Sequence, residues 1–100
     1  MNTMVVHFNN YSKKVGTRGK YDWYQWKVFV DEDNVVLDKI DYVTYYLHPT
    51  FPNPVRTITD KGSKFALESS GWGSFTMSIT IRFKDGTEKS TKYFLDLSKG

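Results

Sequence analysis

The 100-residue chain contains no cysteine. That absence removes disulfide frameworks, thiol nucleophiles and thiolate metal sites together, so the fold must rest on apolar burial and backbone hydrogen bonds. No apolar run approaches the roughly 20 residues a membrane-spanning helix needs. The opening Met1-Asn2-Thr3-Met4-Val5-Val6 lacks the basic start and long apolar stretch of an export signal. No membrane contact is expected, and Asn10-Tyr11-Ser12, which fits the glycosylation pattern, is read as coincidence. An excess of one charge sign is also missing, since fourteen Lys and Arg against eleven Asp and Glu leave +3. Real nucleic-acid footprints carry far more charge, so direct nucleic-acid binding is not expected. Helical periodicity is absent over any stretch long enough to matter, and neither repeats nor low-complexity segments occur.

What the chain does have is 39% hydrophobic and 17% aromatic residues, enough to fill one core, and residues 1–100 are read as one domain. Phe75, Met77, Ile79, Ile81 and Phe83 alternate without exception with Thr76, Ser78, Thr80, Arg82 and Lys84, the pattern of a half-buried strand. Asp85-Gly86 then turns the chain toward Lys89, Thr91, Tyr93, Leu95 and Leu97, which share one parity. A two-residue loop would put Tyr93 and Leu95 on the wrong face. A three-residue Lys84-Asp85-Gly86 loop with Gly86 left-handed pairs Met77 with Tyr93 and Phe75 with Leu95, and is preferred.

Upstream, Tyr24, Trp26, Val28 and Val30 alternate with Trp23, Gln25, Lys27 and Phe29 as a strand buried mainly on its even face, and Asp31 to Asn34 turns it. Val5 to Phe8 is read as a first strand, Val35 to Leu47 as one or two strands broken near Asp38-Lys39, and Ser63 to Ser69 as another. Pro49, Pro52 and Pro54 exclude helix between them. About seven to eight short strands with turn residues between them indicate an antiparallel β-sandwich, with a small barrel as the competitor.

Catalytic and metal chemistry find little support. There is no nucleophile elbow and no phosphate-cradling glycine loop, and the only histidines are His7 and His48. Asp31-Glu32-Asp33-Asn34 resembles the start of a calcium loop, but the sixth position is not glycine and Tyr42 stands where the twelfth-position glutamate belongs. No metal, cofactor or enzymatic activity is expected. The charges are nonetheless segregated, with Lys13, Lys14, Arg18 and Lys20 ahead of Asp31, Glu32, Asp33, Asp38 and Asp41. The acidic stretch could steer a basic peptide if it lay near a binding site.

Two loops stand apart from the strand patterning, Leu47-His48-Pro49-Thr50-Phe51-Pro52-Asn53-Pro54-Val55-Arg56 and Glu68-Ser69-Ser70-Gly71-Trp72-Gly73-Ser74-Phe75. Each puts a large ring where solvent is expected, so Phe51 and Trp72 either plug an open end of the sandwich or await a ligand. Leu-His-Pro-Thr-Phe followed about twenty residues later by Glu-Ser-x-Gly-Trp-Gly-x-Phe resembles the YEATS domain. Tyr24 to Val30 is similar to that family's first core strand, and Ser78 to Phe83 to the strand after its tryptophan loop. The likeness spans roughly residues 22 to 97.

The resemblance implies an immunoglobulin-like antiparallel β-sandwich whose loops at one end read acylated lysine, chiefly acetyl and crotonyl, without catalysis. It assigns His48 to the groove wall, the Thr50 hydroxyl to the acyl amide, and Phe51 and Trp72 to the two rings around the amide plane. Gly71 and Gly73 flank the backbone near the acyl carbonyl, with Ser70 beside them and Phe75 toward the floor. Tyr21-Asp22-Trp23 offers candidates for a further aromatic wall at slightly shifted positions. The implied partner is an acylated-lysine peptide, a histone tail in a eukaryote, and the implied location is intracellular, nuclear in a eukaryote and cytoplasmic in a prokaryote. The alternative is a prokaryotic sensor or interaction domain with a different small-molecule or peptide ligand.

Overall fold

The alternating run beyond Ser74 does form a hairpin, β6 (Thr76–Phe83) with β7 (Glu88–Phe94), in the computed structural model, which describes residues 5–99. Met77 pairs with Tyr93, the Leu95 amide donates to the Phe75 carbonyl at 2.9 Å, and Gly86 takes φ +92° in a three-residue loop. The preferred register is therefore the one adopted. It turns Met77, Ile79 and Ile81 fully inward.

Seven strands among the described residues divide into two antiparallel sheets, the immunoglobulin-like β-sandwich. One sheet orders β1 (Phe8–Arg18), β2 (Tyr21–Val30) and β5 (Leu67–Gly71) as β1-β2-β5. The other orders β4 (Val55–Ile58), β3 (Ile40–Tyr46), β6 and β7 as β4-β3-β6-β7. The inward faces bury Trp26, Val28, Val30, Val43, Tyr45, Leu67 and Leu95 in one core. Burial pushes the Tyr45 hydroxyl well above its ordinary range, and the neutral hydroxyl donates to the Phe65 carbonyl at 2.6 Å.

Three expectations need correction. The first strand begins at Phe8 and runs to Arg18, whereas residues 5–7 only approach it, with the His7 carbonyl accepting from the Asp31 amide. After Phe8, which packs on the core, its inward residues are Asn10 and Ser12, which apolar patterning cannot reveal. Asn10 is fully buried. Its Oδ1 accepts from the Tyr93 hydroxyl at 2.5 Å and its Nδ2 donates to the Asp96 carbonyl at 2.9 Å, so it is sealed from any glycosylating enzyme. Second, Val35 to Leu37 is not strand but part of one helical turn, α1 (Asn34–Leu37), because the Asp33 side chain caps it by accepting from the Val36 amide. Strand resumes only at Ile40, past Asp38-Lys39. Third, the run from Ser63 to Ser69 begins in a 3₁₀ turn (Lys61–Ser63) followed by left-handed Lys64 and Phe65, so β5 starts at Leu67. The proline-rich segment precedes a short edge strand, β4, that the prolines had masked.

Candidate functional site

Both ring-bearing loops leave the sandwich at the end where β3 and β5 finish. The first is pinned at its base, where the Leu47 amide donates to the Pro54 carbonyl at 2.7 Å. Within it the Phe51 amide donates to the His48 carbonyl at 2.9 Å, and Asn53 takes a left-handed φ of 49°. Arg56 braces the bend from β4, donating through Nε to the Asn53 carbonyl at 2.5 Å and through a terminal nitrogen to the Pro52 carbonyl at 2.8 Å. No carboxylate pairs with Arg56 among the described residues.

His48 and Thr50 form one polar unit. The Thr50 amide points at His48 Nδ1 at 3.3 Å. The Thr50 hydroxyl lies 2.9 Å from the same Nδ1, and the His48 tautomer sets which of the two donates. Either way a lone pair on the Thr50 oxygen is left to accept from a ligand N–H.

The second loop follows β5, where Gly71 pairs with Tyr24 and Ser70 with Gln25. Gly71 is buried, and a Cβ there would lie 3.6 Å from the Phe51 ring and 4.0 Å from Trp26 Nε1. Phe51 is half-buried, 5.4 Å from Phe75 and 6.2 Å from Trp26 between ring centres, while His48 meets Phe75 edge-on. Trp72 differs, being 53% exposed. Among the described residues no ring pair joins Phe51 to Trp72. Trp72 instead stacks on Tyr21 at 4.3 Å. Phe51 thus does part of a plug's work, and Trp72 does not.

The two loops enclose a cavity of about 560 Å³. Its lining includes all eight residues singled out in the sequence: His48, Thr50, Phe51, Ser70, Gly71, Trp72, Gly73 and Phe75. Five further residues join them, Pro52, Ser69 and Ser74 from the same loops together with Trp23 and Arg56. Trp23 supplies the additional aromatic wall, with the Arg18 guanidinium 4.7 Å above its ring, and Arg56 supplies the loop brace and a cation. The Tyr21-Asp22-Trp23 cluster had marked the former; nothing in local spacing marked Arg56, whose role depends on the fold of the proline loop. A second hollow of about 610 Å³ lies over the three-stranded sheet among Tyr11, Lys13, Gln25, Lys27 and Glu68, and lacks facing loops. Among the described residues no group of His, Asp and Glu is placed to hold a metal ion, and no helix is long and apolar enough to cross a membrane.

A family model described as the prokaryotic YEATS domain matches residues 24–96. The chain is 34% identical over 101 residues to the protein AF-9 homolog of Candida glabrata, covering 92% of this chain and 42% of that one. It is 50% identical over 46 residues to transcription initiation factor TFIID subunit 14 of Schizosaccharomyces pombe, covering 46% of this chain and 18% of that one. It therefore spans less than half the length of either relative. Among solved structures, the Yaf9 YEATS domain recognizing an H3K122suc peptide superimposes with a TM-score of 0.70 at 26% identity, covering 97% of this chain and 80% of that one. The same domain bound to H3K27ac gives 0.67 at 25% identity, over 97% and 79% of the two chains. The chain belongs to the YEATS domain family, and the family model that matches it is the prokaryotic one.

Proposed function

We propose that this chain is a non-enzymatic module that binds acylated lysine, with the acyl amide lodged between the two loops. The observation that supports this most directly is the convergence of Phe51, Trp72 and the Thr50 hydroxyl on one cavity. Acylation removes the lysine charge and leaves a planar, polarizable amide suited to ring walls, whereas free lysine would have to shed its hydration. The Thr50 oxygen, held beside His48, accepts the amide N–H. Gly71 and Gly73 keep the backbone beside Trp72 open to the acyl carbonyl, with Ser70 next to it, and Phe75 backs the cavity. A ring-walled space takes a flat crotonyl chain as readily as acetyl. The lining holds one histidine, one arginine and no carboxylate, which fits binding better than acid-base chemistry. The partner would be an acylated-lysine peptide inside the cell, a histone tail in a eukaryote.

The match to the prokaryotic form of the family favours a second reading, in which the same pocket serves a sensor or interaction domain for another planar acyl ligand. One titration separates them. Short peptides carrying unmodified, acetyl or crotonyl lysine are added while the indole and amide NMR signals are followed. Saturable shifts at Trp72 and Thr50 with the acylated peptides alone are expected. Silence at millimolar acylated peptide would sink the acyl-lysine reading and leave the sensor. Thr50→Val should weaken acyl-peptide binding about tenfold, the cost of one hydrogen bond in a desolvated site.

A further inference from the structure

The charges that are segregated along the sequence are also segregated in space. β2 begins at the pocket and ends at Val30, so Asp31, Glu32 and Asp33 lie eight or more residues, about 25 Å, from Trp23. β3 begins beside Asp38 and Asp41 and runs toward His48 over a comparable length. The acidic stretch therefore stands away from the pocket and does not steer a basic peptide into it. That expectation is reversed by the fold.

Cations occupy the pocket end instead. The β1–β2 hairpin turns beside the tryptophan loop and places Arg18 over Trp23 at 4.7 Å and Lys20 over Tyr21 at 5.7 Å. Trp23 lines the cavity and Tyr21 stacks on Trp72, so both cations ride on rings that build or support the pocket. Arg56 stands in the wall with only neutral carbonyls on its guanidinium. The carboxylate on this hairpin, Asp22, is already paired with Lys14 at 3.3 Å and with the Thr17 hydroxyl.

We propose, resting on the acyl-lysine reading above, that the acylated lysine recognised here is presented within an acidic segment and not within a basic one. A lysine- and arginine-rich tail would bring its charges against Arg18, Lys20 and Arg56 at the pocket mouth, where like charges repel most strongly at low salt. Glutamate or aspartate on either side of the modified lysine would meet the same cations as partners. The rings fix the modification, and the hairpin tip selects the company it keeps.

Three acetyl-lysine peptides of equal length, with flanks of glutamate, of serine and glycine, or of lysine and arginine, test this by Trp fluorescence at low and high salt. The glutamate-flanked peptide should bind about tenfold more tightly than the basic one at low salt, with the gap closing as salt rises. In R18E/K20E, whose changes sit on the exposed hairpin tip, the order should invert. Equal or tighter binding of the basic peptide, or an order unchanged in R18E/K20E, would overturn the inference while acetyl-dependent binding still upheld the pocket reading. Failure of all three acetylated peptides would remove both.

Discussion

Trp72 and Phe51 have the same proposed chemistry but different standing in the fold. Trp72 is 53% exposed and its ring contact is with Tyr21, so Trp72→Ala should cost under about 1 kcal/mol of stability yet abolish acyl-peptide binding. Phe51 packs on Trp26 and Phe75, so Phe51→Ala should lose binding together with about 2–3 kcal/mol, read as a lower denaturant midpoint. Equal stability losses would mean that both rings are plugs. Tyr45 gives a test that leaves the pocket alone. Burial raises its hydroxyl above the ordinary value near 10, so the native state holds that proton more tightly than the unfolded chain. Its contribution is intact below pH 10 and is lost as pH rises beyond, because the unfolded state then gains by releasing the proton. Alkaline denaturation should thus set in above about pH 10 and be blunted in Tyr45→Phe, at a neutral-pH cost of about 1 kcal/mol for the bond to Phe65. At this scale the sequence was legible where a ring sat in a loop. It was silent on Arg56, whose value comes from two carbonyls that only a folded proline loop presents.

Elements were legible in proportion to how apolar their inward faces are. The β6–β7 hairpin announces itself, register included, because one parity is uniformly hydrophobic and a glycine marks the turn. β1 does not, since after Phe8 its inward positions Asn10 and Ser12 are polar and become buriable only when β7 and the segment after it arrive with Tyr93 and Asp96. α1 is a single turn that β-branched residues disguise as strand until Asp33 caps it. The polar clasp predicts an element-specific weakness. Asn10→Leu keeps the branched skeleton, adds bulk at a fully buried site and leaves the Tyr93 hydroxyl and the Asp96 backbone groups without Asn10, so about 2–4 kcal/mol should be lost. Amide exchange should accelerate first in β1 and the segment around Asp96. Uniform acceleration across both sheets would show that Asn10 is not a local tie between them.

At the scale of the whole molecule, the Arg18–Lys20 tip and the turn that holds Asp31 to Asp33 lie at opposite ends of β2, a separation that a net charge of +3 conceals. The hairpin tip carries Arg18 and Lys20 to the pocket, while the turn after β2 and the start of β3 keep Asp31, Asp33 and Asp41 about 25 Å away. Sequence order alone could not say this, because it does not tell which ends of β2 and β3 the binding loops share. The screening length at physiological salt is about 8 Å, so charges at that remove act on the pocket only weakly. Asp31→Asn, Asp33→Asn and Asp41→Asn combined should therefore change acyl-peptide affinity by less than about twofold at that salt, whatever charge the peptide flanks bear. The same triple change should slow nothing in association beyond a small low-salt effect, since steering fields decay over the same distance. A fall in affinity for basic-flanked peptides in this triple variant would mean that the ligand extends along the sandwich to the acidic end. The partner would then span both poles of the molecule, and its recognition would belong to the length of the fold and not to its tip.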